Sequence, residues 1–396
     1  MTFSSTISSL KDKTSNHWLV LGILLVSFNL RPSITAVGPL IPFIREEMSL
    51  SHGLAGFLTT LPLLSFAVFS LFSAAIGDYF GKAKAIFLGL LVLGIGSLIR
   101  VSAGPLALFV GTALTGIGIV ICNVLLIPLV KARMPKKTGA VTGMYSTGMS
   151  LMAAVATALS VPLAIDLGWG WRGSLLFWSS LLFVALIAWW PQLKLSPKPK
   201  VKPEKTSKSV WKSRLAWQVT MFMGIQSFLF FTLVTWLPDM MIERGLSPVE
   251  AGLTASLMQV VGLTGTFVAP FIAVRYQQQS TFNMSIGILY IVGFASLFIP
   301  ILWLNILSIG LVGLGMGASI SLAYTLITLR TKGDNYTAAL SGMAQSAGYF
   351  LAAFGPMLFG MAFDIWHNWD MLIYLMVLAS CMFTYFGYFA GKDKTI

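Results

Sequence analysis

The chain has 396 residues, of which 56% are hydrophobic and 10% charged, against about 25% charged in soluble domains. A mean hydropathy of +0.83 agrees, and together these figures exclude a soluble globular domain. Only two cysteines are present, Cys122 and Cys381, both inside apolar runs, which excludes a disulfide framework and argues against a metal site.

The first sixteen residues are polar, and the apolar run after them is too long for a signal-peptide core, so no cleavable leader is expected. A hydrocarbon core about 30 Å thick needs roughly 20 apolar residues per helix. Twelve such runs follow one another, at about 17–44, 53–76, 84–102, 104–130, 138–164, 173–191, 214–238, 250–274, 281–301, 303–329, 337–363 and 370–390. The expected fold class is therefore an all-α membrane protein. Alternate loops differ sharply in charge. The set that includes both termini, Lys131–Lys137 and the long central loop sums to +16, and the opposite set sums to −4. Basic loops stay in the cytoplasm, so both termini face inward. Topology thus explains the net charge of +13 without a nucleic-acid partner.

The central loop is rich in Pro and Lys and has no apolar period, so it reads as a self-repelling tether. It divides the chain into a six-helix unit at 1–191, a basic linker at 192–213 and a second six-helix unit at 214–396. The two units match internally. At an offset of 196 residues Pro42, Glu47, Leu50, Ser51, Ala55, Gly56 and Leu61 have identical counterparts. At an offset of 199 Gly116 and Gly118 meet Gly315 and Gly317. Two repeats of the same orientation predict two bundles about an axis along the membrane normal, with a binding site between them near the midplane. The paired glycines themselves point to close helix packing.

The first run carries Arg31, followed by Pro32. A charge at the bilayer centre costs about 2.5–3.5 kcal/mol on insertion scales, and something must offset that cost. Arg31 reads as the one charge deep in a span, because Arg100 and Arg275 lie at run ends and are expected to reach the interface. Pro32 removes a helical hydrogen bond and frees the Phe28 carbonyl one turn back. A guanidinium presents five donors in a rigid fork and stays charged. With no carboxylate in mid-span, it invites an anion, and a single arginine invites a single negative charge. The competing reading is a structural arginine bonded to carbonyls or amide side chains. Asn123, Tyr145, Gln226, Gln259, Tyr324, Gln345 and Tyr349 are the uncharged polar residues positioned to complete a site, with Phe28 and Trp236 as aromatic walls. Each serves equally well as a bond between helices. His17, His52 and His367 lie near run ends, so a proton relay built into the membrane is not expected; uniport, exchange, or a proton carried by the substrate or water fits better. No HExxH, Cys/His pair, paired intramembrane carboxylates or phosphate-binding Walker loop is present, so neither an enzyme, nor a cofactor, nor an ATP motor is expected.

The twelve-helix, six-plus-six chain resembles the major facilitator superfamily. SAAIGDYFGKAKA, from Ser73, is similar to that superfamily's inner loop signature, with Asp78, Gly81, Lys82 and Lys84 matching. Tyr79 stands where a basic residue is usual, and Ala74 replaces the leading glycine. The resemblance implies that Asp78, Gly81 and Lys82 belong to a conformational lock holding the two bundles together when the outer side is open. Longer stretches, NLRPSITAVGPL from Asn29, TGMYSTGMS from Thr142 and LSGMAQSAGYFLAAFGP from Leu340 among them, resemble the cyanate permease and nitroimidazole transporter family. That resemblance implies a monomeric transporter in the bacterial inner membrane with a small, compact substrate. Three functions stay open: transport of a small monovalent anion, efflux of small neutral or drug-like compounds, and ligand sensing without transport.

Overall fold

The computed structural model describes residues 3–195, 210–332 and 334–396. The expected linker at 192–213 falls mostly at 196–209, outside the described residues. The described residues form helices, which is what a bilayer demands of a chain that must satisfy its backbone internally. The first apolar run is three helices in line: α1 (Phe3–Leu30), α2 (Pro32–Thr35) and α3 (Val37–Met48). Then come α4 (His52–Phe80), α5 (Lys82–Ser102), α6 (Gly104–Arg133), α7 (Thr138–Ile165) and α8 (Gly170–Trp189). The second set is α9 (Arg214–Glu243), α10 (Pro248–Arg275), α11 (Ser280–Ser296), α12 (Leu302–Leu329), α13 (Asp334–Trp366) and α14 (Asp370–Ala390). Among the described residues, eleven helices are long and apolar enough to cross a membrane. The twelfth, α11, has 17 residues. The chain makes two six-helix bundles, and loop charge puts both termini on the inner face.

The internal repeat has a structural counterpart at each of its clearest positions. Ser51 and Ser247, 196 residues apart, cap α4 and α10 by accepting the backbone amides of Leu54 and Glu250. Gly56 of α4 packs on the Pro356 carbonyl of α13, and its counterpart Gly252 of α10 packs on the Thr157 carbonyl of α7. Each glycine thus brings one bundle against the other. Gly317 lies on the Gly262 backbone and Gly118 on that of Gly89, where no side chain fits. These are the close helix contacts the paired glycines suggested.

One expectation is overturned. Arg100 does not reach the interface: it is 2% exposed, and its Nη1 donates to the Ser33 carbonyl at 2.8 Å. Although near the end of α5, it points inward between helices, so the N-terminal bundle encloses a second arginine.

Candidate functional site

The first span breaks where its sequence requires. Pro32 has no amide to offer, α1 stops at Leu30, and the ladder lapses again at Ala36, which belongs to neither α2 nor α3. Thr35 secures the broken turn by donating to the Arg31 and Ala153 carbonyls, each at 3.2 Å. Thr157 of α7 reaches back to the Thr35 carbonyl at 3.4 Å and receives the amide of Gln259 from the other bundle at 2.6 Å.

This break aims Arg31 into a cavity of about 70 Å³ between the bundles, room for several water molecules. Its walls include Ser150 and Ala153 of α7, Gln226, Ser227, Phe230 and Phe231 of α9, and Gln259 and Thr266 of α10. Gly317 of α12 and Tyr349 of α13 complete it. The Arg31 Cζ lies 5.5 Å from the Phe230 ring centre and 6.0 Å from that of Phe231, within cation–π range. Among the described residues, neither a carboxylate nor a carbonyl takes its donors. The side chain is half-buried and charged, and its hydrogen-bonding fork is open.

Four of the residues singled out in the sequence therefore meet around one space: Arg31, Gln226, Gln259 and Tyr349. Three more lie beside it. The Tyr145 hydroxyl donates to Asn123 Oδ1 at 2.5 Å, and the charge of Arg31 acts on both Tyr145 and Tyr324. Tyr324 is 44% exposed even though it sits among Arg31, Tyr145 and Tyr349. Gln345, one turn further in, donates to Ser341 at 3.0 Å. Phe28 packs against Gly148, outside the cavity lining.

Trp236 is elsewhere. It is fully buried at the outer end, donates to the Pro356 carbonyl at 2.8 Å, and packs its ring beside His52 and Trp369. It belongs to the seal between the bundles, because its ring packs against His52 of the other bundle, five residues beyond the cavity-lining stretch of α9. Sequence reading missed Phe230 and Phe231. The signal was there: Phe230 follows Gln226, and Phe231 follows Ser227, by four residues, the spacing that shares a helix face.

The outer end of the interface is shut. Asp364 of α13 takes the His52 amide, the His52 Nδ1 and the Gly53 amide at 2.8–2.9 Å, crossing from one bundle to the other. It thereby supplies the free amides at the start of α4 with an anion. Gly38 lies against the Val234 carbonyl and Gly360 against the His52 carbonyl. At the inner end, Gly139, Gly143 and Gly342 have open space where a side chain would be. The inner loop signature is in place structurally: Gly81 turns from α4 into α5 at φ 84°, a conformation glycine adopts freely. Among the described residues, Asp78 and Lys82 form no ion pair across the bundles. No cluster of His, Cys, Asp and Glu able to hold a metal occurs among the described residues.

The profile of the Major Facilitator Superfamily matches residues 23–356. The chain belongs to that superfamily. It is 43% identical to the uncharacterized transporter YycB of Bacillus subtilis, over 97% of this chain and 96% of the relative. The 2-nitroimidazole transporter of Escherichia coli is 37% identical, covering 96% of each chain, and the cyanate transport protein CynX of the same organism is 26% identical, over 89% and 92%. Among solved structures, a bacterial homolog of the lysosomal transporter Spinster, in an inward-facing state, superposes with a TM-score of 0.76 at 16% identity, over 95% and 97% of the chains. The protein is a multi-pass membrane transporter of small solutes and not an enzyme.

Proposed function

We propose that this transporter moves a small, singly charged anion of cyanate-like size across the bacterial inner membrane, by alternating access, with Arg31 as the anchor for its charge. One observation carries this reading. A guanidinium with its donors free faces a small cavity between the two bundles, with no carboxylate among the described residues to neutralise it. The substrate's charge then offsets the cost of keeping Arg31 there. Gln226, Gln259 and Tyr349 add neutral donors and acceptors, which suit a compact polar solute. Tyr145, Asn123 and Tyr324 lie beside the cavity and extend its polar wall. Release follows from rocking of the bundles around this fixed site, and a single chain suffices.

A second reading has its own support. Phe230 and Phe231 offer aromatic faces beside the guanidinium, and the 37% identical relative is a 2-nitroimidazole transporter. A flat neutral ring with a polar oxygen-bearing group fits between those rings, with its oxygens on Arg31.

Flux into proteoliposomes tests both. Cyanate and 2-nitroimidazole are offered to wild type and to Arg31→Ala. The anion reading expects cyanate flux that falls at least 100-fold in Arg31→Ala. Flux of 2-nitroimidazole alone favours the second reading. Saturable binding of either compound without flux would make the protein a sensor and overturn both.

A further inference from the structure

Arg100 is a buried charge that the transport reading leaves unexplained. Its Nε and Nη2 are enclosed and lack acceptors among the described residues. For packing alone, an apolar side chain of similar volume would be the more stable choice, since an ion loses several kcal/mol of solvation on burial. Two features offset part of that cost. Arg100 lies in the last turn of α5, where helix carbonyls favour a cation. Its Nη1 also donates to the Ser33 carbonyl. That carbonyl is no ordinary acceptor. In an unbroken helix it would take the amide of Val37, but the ladder lapses at Ala36 between them. Ser33 lies two residues from Arg31, in the four-residue turn whose direction decides where Arg31 points.

We propose that Arg100 is a positioning residue for the substrate site: its buried guanidinium holds the carbonyl left open by the break in the first span and so keeps Arg31 directed into the cavity. It touches no substrate. The turn is held from one side by Thr35 and Thr157 and from the other by Arg100. Removing Arg100 leaves the Ser33 carbonyl buried and unpaired, and the turn relieves this by moving toward a continuous helix. Arg31 then rotates out of the cavity. The link to transport rests on Arg31 being the substrate anchor, but the geometric claim does not.

The test reads geometry and transport separately. In a chain with Cys122 and Cys381 replaced by alanine, Arg31→Cys is exposed to a charged, water-soluble thiol reagent in purified protein. Its reaction rate is compared with that of the same chain carrying Arg100→Met. A fall of at least tenfold is expected, with wild-type elution in size exclusion. In parallel, with Arg31 intact, Arg100→Met is expected to raise the KM for the transported compound at least tenfold with a smaller change in maximal rate, and Arg100→Lys, which keeps a donor, to stay within threefold of wild type. If Arg100→Met does not fold, Arg100→Gln replaces it, being neutral and two bonds short of the Nη1 position. Unchanged thiol reactivity together with unchanged KM would overturn the proposal. Loss of reactivity combined with Arg31→Gln transporting normally would uphold Arg100 as positioning residue and refute Arg31 as anchor.

Discussion

The two ends of the interface between the bundles are built differently. At the outer end backbone meets backbone: Gly38, Gly56 and Gly360 each lie where a Cβ would come within 2.2–2.3 Å of a carbonyl oxygen of the other bundle. A carboxylate crosses the seam to hold the first amides of a helix. At the inner end glycines face open space, and among the described residues Asp78 and Lys82 of the inner loop signature form no ion pair across the gap. The outer seal is therefore specific and brittle, and the inner end is free to move. A transporter that alternates must break the first and make the second, so the residues of the outer seal set the resting state.

The largest effect is expected from Gly38→Leu. Its side chain has only backbone to displace, and overpacking of this kind costs about 1–3 kcal/mol or more. Flux should fall more than 100-fold, and a cysteine at Thr60, which now donates to the Ala353 carbonyl at 2.7 Å, should become reactive from the outer side. Flux near wild type would show that the seal is not obligatory. Asp364→Asn comes next. It keeps the shape but loses the charge that three donors share, and hydrogen bonds to charged groups are worth roughly 1.5–3 kcal/mol each when sheltered. Partial exposure reduces this, so a shift of about tenfold toward the outward-open state is expected, read as faster labelling at Thr60→Cys. Labelling unchanged from the wild-type background would remove Asp364 from the seal.

Glu47→Gln should matter less. Glu47 accepts from Arg172 and from the Trp171 indole within one bundle, and its repeat counterpart Glu243 lies beside Trp369 in the other. The Arg172 hydrogen bond, helped by Trp171, holds the Glu47 carboxyl below its ordinary value. A lowered pKa stabilises the fold above the unfolded value, about 4.3, and that contribution fades as pH falls through the folded one. The pair is about half-exposed, so less than about 1 kcal/mol is at stake. A small drop in Tm at pH 7 that shrinks as pH falls below the ordinary carboxylate value is expected, and a drop independent of pH would assign the loss to packing. The smallest effect belongs to Gly143→Ala at the open inner end, where flux should stay within threefold. A loss as large as that of Gly38→Leu would mean the inner end also seals through bare backbone.

Much of this was legible in the residues. Apolar runs set the spans, loop charge set their direction, and the offset of 196 set the pairing of the bundles. Pro32 marked the break, and Arg31 marked the cavity. What escaped was direction. Arg100 lies at the end of an apolar run, and sequence position cannot say whether a side chain there turns outward to water or inward to a carbonyl. Trp236 sits five residues beyond the cavity on the same helix, and only its contacts with His52 and the Pro356 carbonyl assign it to the seal. Asp364 and His52 are 312 residues apart, and no local pattern joins them.

The central claim is that Arg31 recognises the substrate's charge. Equilibrium binding of cyanate to purified protein, wild type against Arg31→Gln, tests it most directly, with 2-nitroimidazole as competitor. The account predicts a single site, competition between the two compounds, and at least a thirtyfold loss of cyanate affinity in Arg31→Gln. Undiminished cyanate binding in that variant would contradict it and leave Arg31 a structural residue of the broken span.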